Sequence, residues 1–246
     1  MENRDSSHLL TGCVSPATLP AMPRTARIVV PGVAHHVTQR GNNRQDVFFT
    51  DDDRRFYLKT LRAQAERFGL AVTGYCLMPN HVHLIVTPDV EDSLARTIGT
   101  THLIYSQYVN RLHGRSGHLW QNRFYSCPLD AEHEVAAVRY VERNPVAARM
   151  VRMPWRYPWS SAAAHIGERD QAGLLDLATW RRRYGPVSWK RILGDPLDEK
   201  MAERLRGGTS RGRPLGSDRF IAKLETTFNR RLRPRPRGRP RKARDG

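Results

Sequence analysis

Two kinds of hydrophobic pattern alternate along the first 150 residues of the chain. Residues 33–40, 70–77, 81–87 and 118–128 have the pattern of strands. Apolar residues at helical spacing lie between residues 50 and 69, 92 and 114, and 130 and 144. Polar N-cap residues open these helical segments, and Gly69 and Gly114 follow the first two. The pattern therefore predicts the order β-α-β-β-α-β-α.

The first six elements of this order form the split βαβ pattern. We therefore predict an α+β fold, with a ferredoxin-like or RRM-like antiparallel sheet that carries helices on one face and leaves the other face open to a ligand. Past residue 150 the rhythm fades, and four tryptophans between residues 155 and 189 indicate a packed helical extension. The predicted divisions are a disordered extension at 1–21, the sheet domain at 22–150, the helical extension at 151–205 and a basic disordered tail at 206–246.

The charge of the chain points to a polyanion as its partner. The net charge is +17, and the calculated pI is about 10.8. Residues 201–246 contain 15 Lys and Arg against 4 Asp and Glu, whereas residues 1–200 contain 26 against 20. None of the three cysteines forms a CxxC pair, which argues against a zinc ribbon or a disulfide framework and fits a reducing cytoplasm. No apolar run approaches the roughly 20 residues that a membrane span needs.

Two histidines open the third predicted strand. His81 and His83 are separated by one residue, so they point to the same face of the sheet, while Val82, Leu84 and Val86 point to the other face and can enter a core. Two imidazoles side by side on a rigid strand form half of a site for a divalent metal. Partly exposed packing residues are the alternative interpretation of the same spacing.

Three sequence blocks resemble a known family. They are Leu-Met-Pro-Asn-His-Val-His at 77–83, Asn-Arg-Leu-His-Gly-Arg-Ser-Gly-His-Leu-Trp-Gln-Asn-Arg-Phe-Tyr at 110–125 and Arg-Tyr-Val-Glu-Arg-Asn-Pro-Val at 139–146. These blocks resemble the IS200-like single-tyrosine transposases and, more closely, the branch of REP-associated tyrosine transposases. The resemblance covers roughly residues 22–165, so residues 22–150 are expected to form the transposase domain.

The resemblance implies HUH chemistry, in which one tyrosine and a divalent metal cleave and rejoin single-stranded DNA through a 5′-phosphotyrosine. By motif match the nucleophile is Tyr140, the metal-binding pair is His81 and His83, and Asn144 stands at the third ligand position. The implied cofactor is Mg²⁺ or Mn²⁺, and the implied substrate is single-stranded, hairpin or palindromic repeat DNA. A bacterial cytoplasmic, nucleoid-associated protein that is a monomer or a homodimer is expected.

Helical spacing agrees with this assignment but leaves alternatives open. Tyr140 and Asn144 are four residues apart and share one helix face, so both can meet the histidines if that helix crosses the histidine face of the sheet. Tyr140 can also be an amphipathic packing residue, and Asn144 can be a turn residue that ends the helix before Pro145. The other candidate nucleophiles follow from position: Tyr105 and Tyr108 lie on or beside an apolar helix stripe, and Tyr125 ends a strand.

Basic residues in two regions are candidates for holding DNA. Guanidinium groups beside an aromatic ring suit a phosphate backbone with an unstacked base, and the first region supplies Arg111, Arg115, Trp120 and Arg123. A solvated loop with one buried tryptophan is the alternative there. The second region has two Arg-Gly-Arg-Pro runs similar to the AT-hook core, with Arg211, Arg213, Arg237 and Arg239. We expect phosphate binding from these runs.

Two other function classes stay open at this stage. A nucleic-acid-binding module without catalysis shares the βαββαβ order, although it has no use for His81, His83 and Tyr140 together. A metal-dependent nuclease that activates water could use the same two histidines. A covalent protein–DNA adduct separates the transferase from both.

Overall fold

A computed structural model of the protein describes residues 26–196 and 198–234. Its central feature is a four-stranded antiparallel sheet with the spatial order β2-β3-β1-β4, which is the ferredoxin-like order. The sheet domain consists of β1 (His35–Arg40), α1 (Asp51–Phe68), β2 (Leu70–Met78), β3 (His81–Pro88), α2 (Ser93–Leu112), β4 (Tyr125–Pro128) and α3 (Ala131–Ala147). The predicted fold class and element order are therefore confirmed.

The helices α1 and α2 cover one face of the sheet. Val82, Leu84 and Val86 of β3 are fully buried against them, as the alternation predicts. The N-terminus of α1 has a complete capping box, in which the Thr50 side chain and the Asp53 side chain each accept a backbone N–H. Gly69 ends the helix with φ 65°, a left-handed conformation that favours glycine, and a Cβ there would also meet the Asp89 carboxylate at 2.6 Å.

The other face of the sheet is not free, unlike the predicted open face. Helix α3 packs across it, and the buried cluster there includes Ile85, Val138 and Val141. Further helices complete this layer and the C-terminal part of the chain: α4 (Ala162–His165), α5 (Leu177–Arg183), α6 (Pro186–Gly194), α7 (Glu199–Arg211) and α8 (Asp218–Thr227). The extension predicted for residues 151–205 thus contains helices. Its apolar side chains pack with Ile85, Val138 and Val141 in a second hydrophobic core.

A buried carboxylate joins α3 to this extension. Glu142 is fully buried and accepts hydrogen bonds from Ser161 Oγ at 2.5 Å, His165 Nδ1 at 2.5 Å and Trp189 Nε1 at 2.9 Å. Its carboxylate oxygens therefore have three donors from α4, α6 and the residue before α4. Because a buried carboxylate is tolerated only with such partners, this network fixes how α3 sits on the extension.

Two element boundaries differ from the predictions. Strand β4 has only four residues instead of the predicted 118–128, since Asn122, with φ 55°, interrupts extended backbone before Tyr125. Helix α3 continues through Pro145 to Ala147, since a proline close to the helix end removes just one backbone N–H donor.

The basic tail is partly ordered, and the prediction of disorder is wrong for residues 206–234. The predicted boundary at residue 206 falls inside α7, whose Leu205 is fully buried in the second core. Leu224 of α8 is buried with Ile28 and Leu232 in a third cluster. Apolar residues at helical spacing within an Arg-rich composition explain the order, since they bury against the sheet domain. Residues 1–21, Arg237 and Arg239 lie outside the described residues.

None of the helices in the described part of the chain is both long and apolar enough to cross a membrane.

Candidate active site

His81 and His83 lie on the sheet face that α3 covers. In the register of β1 and β3, His81 is opposite Arg40 and His83 is opposite Thr38. The two imidazoles meet edge to face with ring centroids 4.9 Å apart. His83 is 6 % exposed, and His81 is half-buried at the start of the strand. The predicted shared face of the two histidines is therefore present.

Tyr140 of α3 stands over these histidines. Its ring centroid is 5.7 Å from that of His83 and 5.9 Å from that of His36, and both contacts are edge to face. The helix reaches this position because Val138 and Val141 bury against the sheet on either side of Tyr140. The structure thus brings Tyr140 together with the two histidines, as the helix–sheet argument expects.

The hydrogen bonds of His81 determine its tautomer. Asn80 Nδ2 donates to the Arg44 carbonyl at 3.2 Å, so the Asn80 amide oxygen faces His81 Nδ1 at 2.6 Å. That oxygen can only accept, and Nδ1 must therefore carry the proton. Burial, with a smaller effect of the Arg40 charge, lowers the pKa of His81 to about 4. Near pH 7 the ring is neutral, and its Nε2 lone pair is left for a ligand.

His83 is the end of a chain of hydrogen bonds. His36 Nε2 lies 2.9 Å from His83 Nδ1, and His36 Nδ1 lies 2.7 Å from Thr209 Oγ1 of α7. Burial lowers the pKa of His36 to about 3 and that of His83 well below its ordinary value, so both rings are neutral. A neutral imidazole has one donor, and two arrangements of the chain are possible.

The two arrangements differ in what they leave on His83. When His36 donates to Thr209, His83 donates to His36 and its Nε2 carries a free lone pair. When Thr209 donates to His36, His36 donates to His83 and the proton of His83 is on Nε2. Only the first arrangement lets His83 bind a metal, since a ligating nitrogen must be unprotonated.

The donor set fits a divalent metal through two imidazoles. His81 Nε2 and, in the first arrangement, His83 Nε2 are neutral nitrogen donors on one strand face. The Nδ2 of Asn144 donates to the Tyr140 carbonyl at 3.1 Å, and its role as the third ligand stays a prediction. Within residues 26–196 and 198–234, no group of three or more His, Cys, Asp and Glu side chains is arranged to hold a metal. Phosphate and water oxygens would therefore have to complete the coordination shell.

Helix α7 adds a cation to the same site. The pKa of Arg206 is raised, first by its hydrogen bond to Glu199 and then by the Tyr140 side chain, which lies within reach of the guanidinium. Arg206 and Thr209 are three residues apart and so lie on the same side of α7. Sequence reasoning missed His36, Thr209 and Arg206. His36 lies on the same face of β1 as Thr38, the residue opposite His83. The register between β1 and β3 brings His36 to His83, and neither strand's own sequence reveals that register.

Comparison with known proteins assigns the sheet domain. Residues 29–144 match the family model described as transposase IS200 like. Residues 29–144 form an IS200-like transposase domain. This match contains His36, His81, His83, Tyr140 and Asn144, whereas Arg206 and Thr209 lie beyond it. The predicted resemblance is confirmed at the level of this family, and DNA is the partner that the family supports.

Two solved structures are similar to the chain. One is a REP-associated tyrosine transposase bound to a REP hairpin, with 17 % identity, a TM-score of 0.49 and coverage of 60 % of this chain and 87 % of the other. The second is a candidate transposase from Deinococcus radiodurans R1, with 21 % identity, a TM-score of 0.35 and coverage of 49 % and 96 %. A search of curated proteins finds no match.

The rival tyrosines of the transposase domain differ in access. Tyr105 is fully buried, and its hydroxyl donates to the Val47 carbonyl at 2.6 Å. Tyr108 stacks on Phe56 with ring centroids 3.9 Å apart. Tyr125 is 42 % exposed and is paired with Thr38, so it lies on the histidine face two strands away from His83. Among these rivals, Tyr125 is therefore the exposed one that lies on the histidine face.

The residues predicted to hold DNA are scattered over the transposase domain. Trp120 is 9 % exposed, stacks on His102 at 4.4 Å and donates from Nε1 to the His102 carbonyl, so its ring belongs to the core and offers no face to a base. Arg115 bonds Gln45 and lies over Phe49, and Arg111 is in the last turn of α2. The structure does not bring Arg111 and Arg115 to the histidine face.

Arg123 and Arg211 have a different surrounding. Both are exposed, and both line a cavity beside β4. Arg213 is half-buried, and its carbonyl accepts from the Cys127 thiol at 2.8 Å. Of the predicted DNA-binding arginines within the described residues, Arg123 and Arg211 are the pair that one surface brings together.

Proposed function

We propose that this protein is a metal-dependent strand transferase that cleaves and rejoins single-stranded DNA through Tyr140. The observation that carries the proposal is the position of the Tyr140 ring, 5.7 Å from His83 and 5.9 Å from His36, over the sheet face that bears His81. The family assignment supports DNA as the substrate. The likeness of the three sequence blocks to REP-associated transposases supports hairpin or palindromic repeat DNA.

A divalent metal is part of the proposal. Mg²⁺ or Mn²⁺ held by His81 and His83 would act as a Lewis acid on the scissile phosphate. Asn144 could add its amide oxygen as a further ligand, since the contact to the Tyr140 carbonyl uses only the amide nitrogen. The buried imidazoles are neutral, so the site offers a metal nitrogen lone pairs and no negative charge.

In the chemical step the Tyr140 oxygen attacks the scissile phosphate. The Tyr140 oxygen forms a bond to phosphorus, the bond from phosphorus to the 3′ oxygen breaks, the tyrosine proton passes to water and the leaving oxygen takes up a proton. One phosphorus–oxygen bond replaces another, so the 5′-phosphotyrosine can be resealed by a free 3′-hydroxyl without ATP. The Arg206 guanidinium beside the Tyr140 side chain would stabilise negative charge on the phosphate.

The decisive experiment looks for the covalent adduct. Labelled single-stranded hairpin DNA is incubated with the protein and Mn²⁺ and resolved on a denaturing gel, where we expect a band of protein-linked DNA. In Tyr140→Phe the cleavage and the adduct should both vanish, while DNA affinity changes by less than about 1 kcal/mol, the scale of one hydrogen bond. Tyr125→Phe is the matched control, since it removes a hydroxyl from the same sheet face and should keep the adduct.

The alternatives give different results in the same gel. A nuclease that uses water would cleave without an adduct, and Tyr140→Phe would keep most of its activity. A binding module would bind the hairpin and produce neither cleavage nor adduct. An adduct that persists in Tyr140→Phe but is lost in Tyr125→Phe would move the nucleophile to Tyr125.

A further inference from the structure

Arg40 lies beside the two histidines of the candidate active site. It ends β1 and is directly opposite His81 in the antiparallel register, so both side chains leave the same face of the sheet with Cβ atoms about 5 Å apart. Burial lowers the pKa of His81 and of His83, and the charge of Arg40 lowers both further. The guanidinium is therefore close enough to act on a group bound at these rings.

The backbone of Arg40 is fixed, whereas its charge has no partner. The Gln121 N–H donates to the Arg40 carbonyl at 2.8 Å. The side chain is exposed and forms no ion pair with any residue that the structure describes. His83 is buried and His81 is half-buried. The site therefore opens to solvent at the end of β3 where Arg40 stands.

Arg206 reaches the same site from α7. Its ion pair with Glu199 lies on the surface, since 49 % and 74 % of the two side chains are exposed. Exposed ion pairs are weak, so a phosphate can take the place of Glu199. Thr209, which is one helical turn further on, hydrogen-bonds His36 and holds this side of α7 against the histidine face. The Arg206 guanidinium is thus kept near Tyr140 while its present partner can be exchanged.

The histidine face beside these two arginines has no carboxylate of its own. An Asp or Glu near both His81 and His83 would complete a group of three possible metal ligands, and residues 26–196 and 198–234 contain no such group. Two cations beside two neutral imidazoles favour a small anion. A phosphodiester offers two non-bridging oxygens, one for each guanidinium.

We propose that Arg40 and Arg206 are catalytic residues that hold the two non-bridging oxygens of one phosphate beside Tyr140. While the bond from the Tyr140 oxygen to phosphorus forms and the bond to the 3′ oxygen breaks, both guanidiniums stabilise the charge on these oxygens and neither loses a proton. The identity of this phosphate as the one that is cleaved rests on the proposed function, whereas the two-arginine contact does not. Arg206 lies beyond the residues that match the family model, so the C-terminal extension supplies half of the contact.

The test measures binding without cleavage. The full-length Tyr140→Phe protein is titrated with a series of hairpins that have single-stranded flanks, in each of which one phosphate is replaced by an uncharged methylphosphonate. Arg40→Gln and Arg206→Gln are each added to this protein. Two controls remove an equal exposed charge: Arg204→Gln from another side of α7, and Arg67→Gln from α1 on the opposite face of the sheet. Thermal melting checks that each variant is folded.

We expect one position at which the methylphosphonate weakens binding to the Tyr140→Phe protein by about tenfold or more, the scale of a lost charge-assisted hydrogen bond. In Arg40→Gln this loss should shrink to about threefold or less, because one partner of the phosphate charge is already gone. Arg206→Gln should reduce the loss at the same position. Both control variants should keep the full loss at every position.

A second measurement follows the reaction in protein that retains Tyr140. At saturating DNA, Arg40→Gln should slow single-turnover cleavage and rejoining by about 100-fold, the scale of one lost oxyanion donor. Arg40→Lys should recover part of the rate, since it restores the charge without the planar fork of donors. The cleaved phosphate should be the position that the binding series identifies.

Three results would overturn the proposal. Arg40→Gln could leave every methylphosphonate loss unchanged, the two arginines could report different phosphates, or cleavage could fall at a phosphate that neither reports. A failure of the proposed function looks different: the protein with Tyr140 would give no adduct, while Arg40 and Arg206 still reported one shared phosphate. That result would support the two-arginine contact and reject only the strand transfer.

Discussion

Thr209→Val tests whether α7 controls the metal-binding state of His83. The substitution removes one hydroxyl and keeps the side-chain shape at a position that is 1 % exposed. His36 Nδ1 then loses its only observed partner, and a buried N–H left without an acceptor costs about 1–3 kcal/mol. The protons therefore shift so that His36 donates to His83, and His83 Nε2 becomes protonated.

The expected effect falls on metal affinity. A second-sphere partner of a metal-binding histidine contributes about 10- to 100-fold to affinity, and the penalty above corresponds to a similar factor. We expect the Mn²⁺ concentration for half-maximal cleavage to rise by this factor. Direct titration of Mn²⁺ into the Tyr140→Phe protein with bound DNA should give the same ratio, and ¹⁵N spectra of the imidazoles should report the changed tautomer of His83.

Thr101→Val is the matched control for this substitution. Thr101 is fully buried in α2, and its hydroxyl has no hydrogen-bond partner among the described residues, so its loss should leave metal affinity unchanged and stability equal or higher. A Thr209→Val protein with reduced melting temperature but the wild-type Mn²⁺ dependence would refute the reasoning. The hydrogen-bond chain would then only stabilise the packing of α7.

Four other perturbations have defined outcomes. His81→Ala and His83→Ala should each abolish cleavage at limiting Mg²⁺ and keep DNA binding, so turnover at the wild-type rate in a gel assay would remove the metal assignment. Glu142→Ala should lower the free energy of unfolding by about 3–5 kcal/mol in a denaturant titration, since it leaves the His165 and Trp189 donors buried without their acceptor. A loss below about 1 kcal/mol would contradict the role of the Glu142 hydrogen-bond network. Removal of residues 1–21 should change neither melting temperature nor cleavage, and a large drop in either would show that this segment belongs to the fold. The free energy of unfolding should fall as pH decreases from about 6.5 towards 4, by up to about 1.4 kcal/mol per pH unit for each of His36 and His102. The reason is that burial lowers the pKa of each imidazole to about 3 in the folded protein, whereas the same histidines in the unfolded chain take up protons from about pH 6.5 downwards. A flat profile over this range would contradict their buried neutral state.

Local spacing in the sequence predicted the order of helices and strands and the shared face of His81 and His83. Period-two alternation correctly separated His81 and His83 from Val82 and Leu84, because adjacent side chains of a strand always point to opposite faces. The capping box at Thr50 was predictable for the same reason, since it joins residues three positions apart. Tyr140 was singled out by its sequence block, and its role stays a prediction.

Packing over long sequence distances decided the rest. His36 and His83 are 47 residues apart, and Thr209 is 173 residues from His36, so no local pattern could have joined them. The Arg-rich composition from residue 206 onwards predicted disorder, yet Leu224 and Leu232 are buried together with Ile28, which is far away in the sequence. Sequence by itself therefore determined which side chains share a face of one element. Which faces meet, which tautomers they allow and which arginines gather in one cavity depended on free energy gained when separate elements pack together.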